Sequence, residues 1–82
     1  MEQTALLAQI GERLTQFRIA CGLDVPAAAF AADVDAERLA AAEDGAAELG
    51  GEELDRIASA YGIDPAEIFG GRSTPLQNYA GG

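Results

Sequence analysis

Apolar residues at Leu6, Ile10, Leu14 and Phe17, with Leu7 and Cys21 flanking the same stripe, recur at helical spacing, which predicts an amphipathic helix from about Gln3 to Ala20. Gln9, Glu12, Arg13, Gln16 and Arg18 belong to its outer face. Gly22 is placed to end it, and Leu23 to fold back as the apolar residue after the cap. Asp24 offers an N-cap carboxylate, and Pro26 suits a first turn whose N–H groups have no helical acceptor, so a second helix starts near Val25. Alanines at 27, 28, 29, 31 and 32 favour that helix and let another approach closely. At Asp33-Val34-Asp35 the pattern breaks: a short acid can cap again, and Val34 can turn inward as the buried residue of the turn. A third helix is predicted from about Ala36 to Asp44, with Leu39 and Ala42 facing the core and Gly45 closing it in the left-handed conformation.

Ala46 to Gly51 reads as a loop anchored by Leu49, with Gly50-Gly51 permitting a sharp turn. A fourth helix runs from about Glu52 to Tyr61, with Leu54, Ile57, Ala58 and Tyr61 inward and Glu52, Glu53 and Asp55 near its start, where acids suit the helix dipole. Gly62 caps it and Ile63 returns to the core. Asp64-Pro65-Ala66-Glu67 is a capping box with proline at the first helical position, opening a last helix of a turn or two whose apolar residues are Ile68 and Phe69. Five helices without a strand pattern predict an all-α domain over residues 1–69.

The remaining stretch, residues 70–82, differs in kind. Two glycines detach it, Thr74-Pro75 favours an extended path, and Leu76 and Tyr79 lack periodic neighbours. A frayed flexible tail is the first expectation; an arm docking Leu76 and Tyr79 on another subunit or a partner is the second.

A chain of 82 residues sits near the size at which one core is just adequate. It holds a single cysteine and no histidine, so neither an internal disulfide nor a histidine-ligated zinc can staple it, and a histidine triad or pH switch is excluded. Cys21, on the apolar side of the first helix and without a basic neighbour, is expected to be a small buried hydrophobe. Carboxylates abound, but no nucleophile, base or glycine-rich phosphate loop stands in a catalytic arrangement, so no enzyme activity, catalytic residue, metal, cofactor or small-molecule substrate is expected. With no signal peptide, long apolar span or lipidation motif, a cytoplasmic location away from membranes is the default.

Charge sharpens the picture. Asp24, Asp33, Asp35, Glu37, Glu43, Asp44, Glu48, Glu52, Glu53 and Asp55 face Arg38 alone in the middle of the chain, and this imbalance equals the whole net charge of −9. Affinity for DNA comes largely from Lys and Arg on phosphates, so this segment repels what a helix-turn-helix would read.

Three stretches, IGERLTQFRIACGL, AADVDAERLAAAEDG and ELDRIASAYGIDPAEIF, resemble the phage-repressor (Cro/CI, or XRE) helix-turn-helix family across Ile10 to Phe69. The matching positions are Ile10, Gly11, Glu12, Arg13, Leu14, Arg18, Gly22 and Leu23 in the opening, Glu43 and Gly45 at the close of the recognition helix, and Leu54, Ile57, Ala58, Ala60, Gly62 and Ile63 before the Ile68-Phe69 end. The resemblance implies a compact five-helix, lambda-repressor-like domain, dimeric, with its recognition helix in the major groove of DNA. Here the chain departs from the family pattern. Val25 and Pro26 stand where a polar residue, often Gln, is usual; Asp33 replaces the glycine of the turn; and the recognition helix opens with Asp35, Ala36, Glu37, Arg38, Ala40 and Ala41 rather than with groups that bond base edges.

Two functions follow. The favoured one is a regulatory protein whose helix-turn-helix serves protein–protein interaction, binding or modulating a transcription regulator or another partner, or pairing as a homodimer. Its contacts are expected from Asp35, Ala36, Glu37, Ala40, Ala41, Asp44 and Glu48, with Ala46 and Ala47 extending a flat alanine surface and Leu76 and Tyr79 adding the arm. Apolar side chains at Ile68, Phe69, Leu76 and Tyr79 would serve self-association. The alternative is a dimeric, sequence-specific DNA-binding transcription regulator using Arg38, with Arg13 and Arg18 on phosphates.

Overall fold

A computed structural model describes residues 2–70, with side chains from Ala5 onward. Helix α1 spans Glu2–Ala20, α2 Val25–Ala32, α3 Ala36–Glu43, α4 Gly51–Tyr61 and α5 Pro65–Ile68, and no strand occurs among the described residues. Leu76 and Tyr79 lie outside them, as does all but the first residue of the expected tail.

The helix starts are chemically local. Asp24 accepts the Ala27 N–H at 2.9 Å and Asp35 the Arg38 N–H at 3.0 Å, each satisfying a first-turn donor that has no helical acceptor. At α5 the box is complete: Asp64 accepts from Ala66 and Glu67 accepts from the Asp64 N–H. At α4 it is half of one, because Glu53 accepts the Gly50 N–H at 2.8 Å while glycine has no side chain to return the bond. Gly50 holds an ordinary φ of −74°, so the Gly50-Gly51 pair is a helix start rather than the sharp turn expected.

Helix α1 packs on α3, α2 on both α3 and α4, and α5 closes against α4 and α1. Leu14, Leu39, Ile57 and Ile68 are fully buried at the centre, and Ala28, Ala29, Ala32, Ala42 and Ala58 fill the helix crossings around them. Gly11 makes the α1–α3 crossing possible: a Cβ there would lie 2.5 Å from the carbonyl oxygens of both Ala42 and Glu43. Gly45 combines the left-handed φ of 76° with a close approach to Ala8 on α1.

Three apolar positions depart from expectation. Leu7, not Leu6, continues the inward stripe with Ile10 and Leu14, and Leu6 is half exposed. Cys21 is exposed because α1 ends at Ala20, so the helical stripe no longer applies to it; its thiol faces the Tyr61 carbonyl at 3.6 Å. Ile68 is fully buried and offers no self-association surface, whereas its neighbour Phe69 is 54% exposed. No described helix is long and apolar enough to cross a membrane.

Candidate functional site

Helices α2 and α3 are joined by Asp33, Val34 and Asp35. Asp33 sits at φ 59°, the one described non-glycine residue in the left-handed region, and its N–H closes α2 onto Ala29 and Phe30. That conformation, tolerated by Asp better than by most residues, turns the chain so that half-buried Val34 packs against the core and Asp35 begins α3.

Leu39 and Ala42 fix the inward side of α3, as expected, and this sets the rest of the helix. Asp35, Glu37, Arg38, Asp44 and Glu48 are exposed. Ala36, Ala40, Ala41 and Ala47 are half-buried and only Ala46 is exposed, so the alanines form the flank of the packed helix rather than an open platform.

Arg38 does not reach outward alone. Its Nε and Nη2 donate to the two carboxylate oxygens of Glu53 at 2.8 and 2.7 Å, and Nη2 lies 3.4 Å from the Glu48 carbonyl. The bidentate pair ties the recognition helix to the start of α4. Arg38 and the Gly50 N–H together hold the Glu53 carboxyl down at about 2, and the same pairing raises Arg38. Asp35, Arg38, Glu48 and Glu53 therefore form one cluster at the start of α3. Asp44 belongs to another, beside Glu43 and Glu12 in an open groove between α3 and α1.

The two arginines of α1 that the DNA alternative needs are placed otherwise. Arg18 donates from Nε and Nη2 to Glu43 at 2.8 and 3.0 Å and from Nη1 to the Leu23 carbonyl at 2.9 Å. Thr15 Oγ1, which also bonds the Gly11 carbonyl, lies 3.0 Å from the same Glu43 carboxylate. With 14% and 7% of their side chains exposed, Arg18 and Glu43 clamp α1 to α3, which gives Arg18 a scaffold contact within the domain. The hydrogen bond to Glu43 raises the Arg18 pKa. Arg13 is half-buried with its guanidinium near Gly70, away from the Arg38 cluster.

Beside this network the Tyr61 hydroxyl is buried with no hydrogen-bond partner among the described residues, and burial, with the Glu43 charge, pushes it up to about 12. No group of three or more Cys, Asp or Glu side chains among the described residues is arranged to hold a metal ion.

One surface feature has no signature in the sequence pattern. Phe30 on α2 is 89% exposed, and Pro26, Ala27 and Ala31, three or four residues away or adjacent, are exposed with it. Nothing in the periodicity of an alanine-rich helix marks which side its one aromatic residue takes.

Residues 9–68 match the family model of a helix-turn-helix domain. Among solved structures the chain is similar to the restriction-modification controller protein C.AhdI from Aeromonas hydrophila, with 31% identity and a TM-score of 0.77 over 79% of this chain and 98% of that one. No curated protein matches. The family pattern acquires its physical cause here: Gly11 permits the α1–α3 crossing, Arg18 and Glu43 clamp it, and Gly45 and Gly62 end the helices that the core holds. The chain belongs to the helix-turn-helix domain family and is a regulatory helix-turn-helix protein of the phage-repressor, XRE-like type.

Proposed function

We propose that this regulatory protein works through protein contact at the face made by α2 and the exposed side of α3. The observation that carries the proposal is the state of Arg38: the one arginine of the recognition helix is held by Glu53, and the other exposed charges on that helix and its two caps, Asp35, Glu37 and Asp44, are carboxylates. Phe30 with Pro26, Ala27 and Ala31 supplies an exposed apolar patch on the preceding helix, and aromatic anchors are enriched in protein interfaces. Asp35, Glu37 and Glu48 would pair with basic side chains of the partner. Such a partner is a basic surface, as a DNA-binding protein presents.

The likeness to a restriction-modification controller supports a second reading, in which the chain is a dimeric controller that binds DNA through Arg38. An exposed ion pair is a weak restraint, and a phosphate or guanine could take Glu53's place. Anisotropy of labelled duplex DNA at low and physiological salt, for the native chain and Arg38→Ala, separates the two. Protein contact predicts no retention at either salt. Salt-sensitive binding lost in Arg38→Ala would establish the DNA reading, with a shallow slope of ~0.9 per phosphate neutralised.

A further inference from the structure

An apolar pocket of about 250 Å³ opens between α1, the α3–α4 loop and α4, floored by Ile10, Leu14 and Leu54. It is below the ~300–1,000 Å³ usual for small-molecule sites, and its lining is aliphatic with Glu48 on one side and Phe69 on another. One or two side chains fit such a space better than a cofactor does.

We infer that the pocket is the docking site of this chain's own segment Arg72–Tyr79, with Leu76 as the inserted side chain. The chain runs on from Phe69, itself a wall of the pocket, through Gly70-Gly71. The six residues from Gly71 to Leu76 reach ~20 Å when extended, at ~3.3–3.6 Å each, enough to fold back over the opening. A Thr-Pro step disfavours helix before the proline, so the sequence suits an extended approach. Charge agrees: the segment carries Arg72 and no acid, and the pocket's charged wall is Glu48. A short tether also supplies an effective concentration in the millimolar range, which a second copy or a separate protein has to match in solution. Docking would cover the apolar ring of Phe69, 54% of which is otherwise exposed. The inference stands apart from the choice between protein and DNA as partner of α3.

Methyl-resolved NMR on the full chain tests it. Contacts from the Leu76 methyls to those of Leu7, Leu14 or Leu54 are expected at all protein concentrations, together with shifts at those residues in Leu76→Asp that leave Leu39 and Ile57 unmoved. Arg72→Glu should weaken the same contacts. Contacts seen only between differently labelled copies in a mixed sample would make a second molecule the occupant and overturn the inference. Absence of any contact, with Leu76→Asp silent at the pocket, would overturn it equally.

Discussion

Two arginine–glutamate pairs hold α3, built alike and placed in opposite surroundings. Arg18 with Glu43 and Arg38 with Glu53 both use Nε and Nη2 against the two carboxylate oxygens, at distances between 2.7 and 3.0 Å. The first is nearly closed to solvent and shares its carboxylate with Thr15, while the second leaves 47% of the arginine side chain in water. Equal geometry does not mean equal worth. Partial burial makes the inner pair costlier to break from one side, because the remaining charge regains little of its water. The outer pair competes with water and salt at every moment. So the inner pair sets the crossing that the fold needs, and the outer one governs what the recognition helix shows to a partner.

The largest expected effect breaks the inner pair. Glu43→Ala leaves half-buried Arg18 without its carboxylate, holding only the Leu23 carbonyl, and should cost up to ~3 kcal/mol by urea unfolding, the lower end for a pair closed to solvent, against a total of ~5–15 kcal/mol for a domain of ordinary stability. If Glu43→Ala unfolds at the native urea midpoint, the distinction between the pairs fails. A middle effect probes the same neighbourhood. Tyr61→Phe removes a buried hydroxyl that has no partner among the described residues and should be neutral or stabilising by ~1 kcal/mol. The native Tyr61 proton is retained to about 12, above the ordinary 10, so its contribution is complete below pH 10 and declines as pH rises toward 12. Tyr61→Phe should lack that component of alkaline destabilisation, which thermal melts between pH 9 and 12 would reveal.

The smallest effect belongs to the outer pair. Arg38→Ala should leave the melting temperature at physiological salt unchanged within scatter. Because the folded-state carboxyl of Glu53 lies at about 2, below its usual 4.5, the pair's contribution exists above pH 4.5 and is lost as pH falls through 2. A difference between native and Arg38→Ala melts that is present at pH 7 in low salt and gone near pH 2 would sharpen the comparison; a large difference in high salt would contradict it.

What could be read from the sequence was what is local. Asp24, Asp35 and Asp64 each cap the helix that follows within three residues, and Gly45 and Gly62 sit at positive φ where a helix stops. The buried set of α4 follows from its spacing, since Leu54, Ile57, Ala58 and Tyr61 share one face. Long-range chemistry was not legible. Arg18 and Glu43 stand 25 residues apart, and nothing near either shows that they meet, so Arg18 looked like a free surface cation. Glu53 was explained as a first-turn acid suited to the dipole, which hides its second bond to Arg38. Leu6 and Leu7 are adjacent, and which one faces inward depends on how α1 is rotated against α3, a rotation set by Gly11 and the Glu43 clamp.

The alanines between the helices also bear on how the domain responds to temperature. Among the described residues five of the twelve buried hydrophobic ones are alanine, so the helices meet closely while hiding little hydrocarbon from water. The heat capacity gained on unfolding rises with that hydrocarbon area. A core of this kind should therefore have a shallow stability curve, with enthalpy and entropy drifting slowly between cold and heat.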